Sequence, residues 1–456
     1  MPLPSSHELV QAIANWMGPA RWHLGEATAF TPDGYTTLYS GKEGAIIWLA
    51  VRDGETNYNV PLVLIPRSNA EGPGADSDAP TPVGNTAEYK IFDAAEHQLG
   101  QRTLLGLLNA TITPKSPETF TLTGAPLHPV HAGIRSAHKL TSEQSNTSVI
   151  YELDDSTKLI LKIFRVLVPG HNPDVELQQA LDGTGSVPAQ RGSVSLAWDQ
   201  PSLKVCEAPG RRRADVVVVQ EFLDGAKDAW QVMQAHLSET DGTLGTTEES
   251  IRALGDLTRR IHAELATAFP PIPASQFRRA AIESSWRARG RHALNLVPSL
   301  RAHEAAIDEA FSAAAALPWP DLQRIHGDYH LGQVLEVPGR GWFALDFEGE
   351  PLRPMEERTG VDLALRDVAG MLRSFDYAAG AAELAGGDAR AVHAWAQAAE
   401  EAFLAGYGEL DADQGMLLRA LMIDKALYEV AYEAAERPSW LRVPVSGVER
   451  ILSHVS

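Results

Sequence analysis

One stretch restricts what this 456-residue chain can be. It reads Ile325-His326-Gly327-Asp328-Tyr329-His330-Leu331-Gly332-Gln333-Val334-Leu335, and Phe343-Ala344-Leu345-Asp346-Phe347-Glu348-Gly349-Glu350-Pro351 follows. A polar loop carries Asp328 and, five residues on, Gln333; a short apolar strand then ends in Asp346. Phosphoryl transfer asks a protein for few parts: a carboxylate that accepts a hydroxyl proton, and oxygen ligands that hold Mg²⁺ against the phosphates. Mg²⁺ is a hard cation that selects such oxygens. Asp328 is therefore the candidate catalytic base, and Gln333 and Asp346 are the candidate metal ligands. One Asp or one Gln alone would be a loop residue satisfying nearby backbone. The three together, at these offsets, argue for a phosphotransferase using ATP and Mg²⁺. His326 is read as a neutral imidazole bracing the loop.

The rest of an ATP site should lie upstream. Lys162 is the one charge inside the apolar run Leu159-Ile160-Leu161-Lys162-Ile163-Phe164. A buried ammonium needs a partner, and Glu176, near the start of a predicted helix, is the candidate. The alternative is a lysine on a strand face open to water. Ser145, Asn146, Thr147 and Ser148 precede the first strand of this region and form a candidate phosphate-covering hairpin. That run has no glycine, so it is not a Walker loop, and hydroxyls and backbone amides would do the work. Gln220, Glu221 and Leu223 fall where an interlobe hinge would meet adenine.

The pattern around these motifs divides in two. Up to about residue 223 it is mostly strand, with β-branched runs such as Ala45–Val51, Tyr58–Ile65, Ser148–Leu153, Lys158–Phe164 and Val216–Phe222 between turn signals. Leu9–Trp16 is a short amphipathic helix, and Ser68–Asn85 a polar surface loop. After 225 apolar residues recur every three or four positions, as in Ile251, Leu254, Leu257, Ile261 and Leu265, and helices are expected. Ser238–Ser250 reads as an exposed polar loop. The fold class is α+β, with three expected parts: 1–135, 136–223 and 224–456. Formal net charge is −20, which repels phosphate backbones and anionic lipid, so neither nucleic acid nor membrane is an expected partner. The single cysteine, Cys206, reads as a buried thiol. The first residues lack a basic, then apolar, leader, no apolar run reaches the length of a membrane span, and a cytoplasmic monomer is expected.

With these residues in hand, the chain resembles the actinobacterial maltokinases, relatives of the aminoglycoside and choline phosphotransferases. The likeness runs from about 140 to 450. It is carried by Glu143-Gln144-Ser145-Asn146-Thr147-Ser148-Val149, Leu161-Lys162 with Asn172-Pro173-Asp174, Val219-Gln220-Glu221, the His326–Gln333 loop, Asp346-Phe347-Glu348-Gly349-Glu350-Pro351, Leu365-Arg366-Asp367-Val368-Ala369-Gly370 and Asp424-Lys425-Ala426-Leu427-Tyr428-Glu429. The resemblance implies a bilobal protein-kinase-like fold with an additional N-terminal cap domain. It implies ATP-dependent phosphorylation of maltose to maltose 1-phosphate, feeding α-glucan and glycogen synthesis. By position it makes Asp328 the base, Gln333 and Asp346 the Mg²⁺ ligands and Lys162 the phosphate-contacting lysine. Arg21-Trp22-His23-Leu24-Gly25-Glu26 departs from the start usual in that family. A sister group with the same loops phosphorylates glucosamine, which is the alternative substrate.

A sugar acceptor must lie beside Asp328, held by carboxylates, amides and basic groups. His330, Glu348 and Glu350 are candidates near the loop. Asp424, Lys425, Tyr428 and Tyr432 recur at helical spacing in an otherwise apolar stripe, and Asp424, Lys425 and Tyr428 read either as a pocket-lining face or as a buried ion pair closing a helix bundle. Arg366 and Asp367 are candidates for bracing the loop. Two other classes compete. A protein kinase would need an activation segment after the metal Asp, and the short path from Asp346 to the helix near Leu363 leaves little room for one. A non-enzymatic nucleotide-binding module or regulator should have lost the base or the ligands, and all are present.

Overall fold

The β-branched run at 45–51 and its neighbour at 58–65 pair with each other and are buried along almost their whole length. In the computed structural model, which describes residues 2–25, 29–69, 80–109, 111–112, 120–140, 146–200, 210–351 and 353–453, the chain forms two units. The first comprises 1–176 and 188–224, the second 177–187 and 225–456.

The first unit holds two antiparallel sheets. Helix α1 (Ser6–Met17) starts at a capping box between Ser5 and Glu8 and buries Leu9, Val10, Ile13 and Met17. Strands β1 (Thr31–Ser40), β2 (Ala45–Asp53), β3 (Thr56–Pro66), β4 (Gly84–Asn85) and β5 (Tyr89–Asp93) form a sheet in the order β1-β2-β3-β5-β4. One face, with Ile47, Leu49, Val60 and Leu62, packs with the apolar side of α1. The other, with Ile46, Trp48 and Val63, shares a core with α2 (Gln98–Gly106) and the second sheet. That sheet comprises β6 (Thr111–Ile112), β7 (Thr121–Pro126), β8 (Ile134–Lys139), β9 (Asn146–Leu153), β10 (Lys158–Phe164), β11 (Gln190–Gln200) and β12 (Gly210–Glu221), in the order β6-β7-β11-β12-β10-β9-β8. Residue 135 thus lies inside β8 of this sheet, with β6 and β7 drawn from the segment before it.

A polar staple joins the two sheets. Asn59 in β3 donates from Nδ2 to the Phe164 carbonyl at 2.9 Å, and its own amide donates to Arg165 O at 2.7 Å. The Arg165 side chain is fully buried, donates to Asp93 Oδ2 at 2.6 Å and Thr147 Oγ1 at 2.8 Å, and lies over the rings of Trp22 and Trp16.

The division falls within α3 (Pro173–Ala180). Beyond it a small sheet of β13 (Lys227–Asp228), β14 (Val334–Val337) and β15 (Gly341–Ala344) is surrounded by α4 (Ala229–Leu237), α5 (Glu248–Ala268), α6 (Gln276–Leu296), α7 (Glu304–Ala316), the one-turn α8 (Met355–Arg358), α9 (Leu365–Leu384), α10 (Ala389–Tyr407), α11 (Ala412–Glu436) and α12 (Arg442–Ser453). The expected stripe of Ile251, Leu254, Leu257, Ile261 and Leu265 is buried in one core with α9, α10 and α11. The strand-rich start and helical end give the α+β class read from the pattern. The polar run 238–250 contains a 3-10 turn and the first residues of α5, and buries Leu244. Part of the 68–85 run, and Cys206, lie outside the described residues. No helix among the described residues is long and apolar enough to cross a membrane.

Removing Asp93 would leave the Arg165 guanidinium buried without its carboxylate. Breaking such a pair costs about 3–5 kcal/mol. Asp93→Ala should therefore lower the urea-unfolding free energy of the chain by that order, whereas Glu152→Ala, which frees only the exposed Arg135, should change it by under about 1 kcal/mol.

Candidate active site

The polar loop between α7 and β14 is held from three sides. His326 is buried, its ring packs against Phe347 and Tyr329, and Nε2 meets the Leu345 carbonyl at 2.8 Å. Asp367, in the first turn of α9, accepts from the amides of His326 (2.8 Å) and Gly327 (2.9 Å), with His262 Nε2 at 3.1 Å. Burial alone would raise the Asp367 carboxyl, but the His262 bond and the Gly327 amide hold it below the ordinary range. Gly370, one turn on, is where the loop touches α9: a Cβ there would lie 2.5 Å from the Tyr329 carbonyl. Gly327 sits at φ +85°, which favours glycine. Both readings of bracing, for His326 and for Asp367, describe what these groups touch. Arg366 instead reaches Asp362 and Asp424.

Three candidate residues converge on the loop's open side. Asp328 Oδ1 accepts from Lys425 Nζ at 3.2 Å, and His330 Nε2 lies 3.8 Å from its other oxygen. His330 Nδ1 accepts from the Gly332 amide at 3.0 Å, which fixes the ring. Lys425 also donates to Glu350, which Arg353 binds from its other side. Burial penalises both charges. The Glu350 and Asp328 carboxylates nevertheless keep the Lys425 ammonium protonated well above its ordinary range, and Lys425 and Arg353 hold Glu350 well below the usual carboxylate range.

Gln333 and Asp346 also meet. The Gln333 amide nitrogen stands 3.5 Å from Asp346 Oδ2, and a half-turn of the amide presents its oxygen in that place. Asp346 follows β15 with φ +59°, a left-handed backbone uncommon outside glycine, in the turn that aims its carboxylate. A Glu348 carboxylate oxygen lies within 4.8 Å of one from Asp346, and Arg358 holds the Glu348 carbonyl at 2.6 Å. This all-oxygen donor set fits a hard divalent cation such as Mg²⁺.

Asp424 goes elsewhere. It is fully buried, accepts two bonds from Arg289 at 2.8 Å and one from Arg366 at 2.9 Å, and does not line the cavity beside Asp328. Of this stripe, Asp424 sits in a buried ion pair, while Lys425 and Tyr428 line that cavity. One helical residue apart means about 100° of rotation, which sends the neighbours to different faces.

The cavity beside Asp328 has a volume of about 350 Å³. Lys425, Tyr428, Glu429, Tyr432 and Glu433 of α11 form one wall, with Trp230, Tyr377 and Trp440 opposite. Tyr377 and Trp440 stack at 6.0 Å. Arg373 binds Glu429 at 2.7 Å, and Glu433 takes Arg437 and the Tyr377 hydroxyl. Burial raises the Glu429 carboxyl, against the pull of Arg373 and Lys425. The stripe read from the sequence reached Tyr432. Glu429 and Glu433 continue the same helical spacing from Lys425 and could have been found as cavity residues, whereas nothing periodic marks Trp230, Tyr377 or Trp440.

In the first unit Lys162 pairs with Asp174 Oδ2 at 3.2 Å, two residues before the expected Glu176. Asp174 is almost fully buried, and Asn172 Oδ1 holds its amide at 2.8 Å. Ser148 stands directly across from Lys162 in the β9–β10 register. Both Thr147 and Ser148 are buried, and Thr147 gives its hydroxyl oxygen to Arg165, so its place is in the staple and not on an open hairpin. Asn146 begins β9; Ser145 lies outside the described residues. Gln220 and Leu223 are buried, and the Glu221 amide donates to Ala189 O at 2.8 Å.

The sequence profile of the phosphotransferase enzyme family matches residues 136–411. Glucosamine kinase from Streptacidiphilus jiangxiensis is 31% identical over 258 residues, covering 52% of this chain and 58% of that protein, so the chain matches little more than half the length of this relative. Glucosamine kinase from Mycolicibacterium smegmatis is 27% identical over 335 residues, 70% of this chain and 80% of that protein. A solved glucosamine kinase in complex with glucosamine, ADP and inorganic phosphate superposes with a TM-score of 0.68 at 22% identity, covering 99% of this chain and 100% of that one. A second crystal form gives 0.70 over 97% and 99%. These superpositions establish the kinase-like α+β fold. None of these relatives bears the name maltokinase, the family that the local motifs resemble; they bear that of its sister group. Over its catalytic half and beyond, the chain belongs to the phosphotransferase enzyme family, and is an enzyme of phosphoryl transfer.

Proposed function

We propose that this enzyme phosphorylates a hydroxyl of an amino sugar, glucosamine, with ATP as the donor. The observation that carries the reading is the acid-walled, aromatic-lined cavity beside Asp328. Glu429 and Glu433 on α11 line the space that an acceptor must occupy. Carboxylates there attract an ammonium more strongly than they attract a neutral disaccharide. The cavity, about 350 Å³, lies at the small end of the roughly 300–1,000 Å³ range for small-molecule sites, which suits one sugar ring better than two. The names of the relatives support the same choice. Maltose, maltose 1-phosphate and a place in glycogen synthesis have no such support.

Asp328 takes the proton from the acceptor hydroxyl as its oxygen bonds to the γ-phosphorus, and the bond from that phosphorus to the bridging oxygen of ADP breaks. Lys425, at 3.2 Å, keeps the Asp328 carboxylate aimed. Gln333 and Asp346 would hold Mg²⁺, which when bound neutralises charge on the phosphate oxygens. His330, Glu348 and Tyr428 border the acceptor side. In the first unit, Lys162 serves the ATP phosphates; Asn146 and Ser148 lie on its strand pair, and Gln220, Glu221 and Leu223 serve the base.

Two outcomes are expected. Asp328→Asn keeps the shape but cannot accept the proton, so kcat should fall roughly 10²–10⁴-fold with ATP affinity nearly unchanged in calorimetric titration. A variant keeping more than half of wild-type kcat would remove Asp328 from the role. Measured side by side, kcat/KM for glucosamine should exceed that for maltose and for glucose by more than about tenfold, because an acid wall left without its ammonium is costly. Maltose at parity or better would overturn the amino-sugar reading while leaving the base in place.

A further inference from the structure

We propose that Arg353, which lies outside the acceptor cavity, is a positioning residue for the catalytic base and acts on Asp328 through Glu350 and Lys425. The inference rests on the reading of Asp328 as the base.

The path is continuous. Arg353 Nε donates to Glu350 Oε2. The other oxygen of the same carboxylate, Oε1, accepts from Lys425 Nζ, and Lys425 reaches Asp328 Oδ1 at 3.2 Å. Glu350 is only 2% exposed, and the Arg353 side chain only 7%. In so dry a setting each charge responds strongly to the next. Glu350 shares its charge between two cations, which leaves Lys425 free to divide itself between Glu350 and Asp328. Without Arg353, Glu350 loses the cation that fixes its far oxygen, and Lys425, already hydrogen-bonded to Glu350, loses the fixed anchor that holds it 3.2 Å from Asp328.

The rest of the cluster can survive the change. Asp424, the other acid near Arg353 at 3.7 Å, keeps Arg289 and Arg366. Among the described residues Arg353 Nη2 makes no hydrogen bond, and Asp424 lies 3.7 Å from it. The other two nitrogens bind Glu350 and Glu357. Arg353 also lines a cavity of about 470 Å³ on the side away from the acceptor, together with Arg289, Glu357 and Asp362. A small cation can therefore reach its place from solvent.

The test compares Arg353→Ala and Arg353→Lys with wild type, and includes Asp328→Asn. Arg353→Ala should lower kcat about 10–10²-fold, as a small displacement of a catalytic group does, with KM for ATP changed by less than about twofold. Millimolar guanidinium, but not urea, should restore part of kcat through the rear cavity. Arg353→Lys should fall between the two. Wild-type kcat in Arg353→Ala would overturn the proposal. So would a loss of kcat that guanidinium does not restore, because that is the signature of a merely structural residue. If the alanine variant does not fold, the lysine variant decides: wild-type kcat overturns the proposal, and a lowered kcat with an unchanged KM for ATP supports it. An Asp328→Asn enzyme as active as wild type would instead remove the base assignment, a result that separates the two failures.

Discussion

The carboxylate of Asp367 is the point from which the site is built. It occupies the first turn of α9, where the helix dipole favours an anion, and there it gathers two backbone amides of the loop and an imidazole of α5. Buried amides without acceptors are costly, so the loop has one low-energy path across α9. The close approach at Gly370 fixes the distance of that path, and His326 ties it to the end of β15. Asp328 and Gln333 are placed as a consequence. Each needs a fixed backbone more than it needs partners of its own.

Electrostatic order in the second unit follows from the same economy. Its acids and bases stand in alternating chains, Arg353 to Glu350 to Lys425 to Asp328 and Arg289 to Asp424 to Arg366, and few of them see water. Burying such charges is tolerable only when every member has a counter-charge. The cavity beside Asp328 follows the same rule at its edge, where Glu429 pairs with Arg373 and Glu433 with Arg437.

Much of the loop chemistry was legible because it is local. Asp328, Gln333 and Asp346 lie within one short segment, and the strand turn between them is visible in the residues. The helical stripes of α5, α9 and α11 were legible for the same reason. Asp174 was not singled out as a partner of Lys162, because Asp174 and Glu176 are both acids at a helix start and only the backbone path places them. Thr147 was given to the phosphate side, although its hydroxyl belongs to Arg165, a residue whose burial depends on β5 far upstream. The side of α11 that Asp424 takes depends on Arg289 and Arg366, on two other helices. The acceptor was least legible, because the loop motifs were read for nucleotide and metal and carry no mark of the sugar.

Helix α11 has a further consequence. Its Asp424 locks it to three arginines, while residues one to nine positions later help to wall the cavity beside Asp328. Anchor and wall are covalently continuous but face different ways. Natural variation can therefore rewrite the wall, residue by residue, under a helix whose seat does not move and beside a phosphoryl-transfer loop that is seated on α9. A family with one reaction and many acceptors is what such a division of labour would produce, and a library confined to positions 428, 429, 432 and 433 would sample that history in a single round.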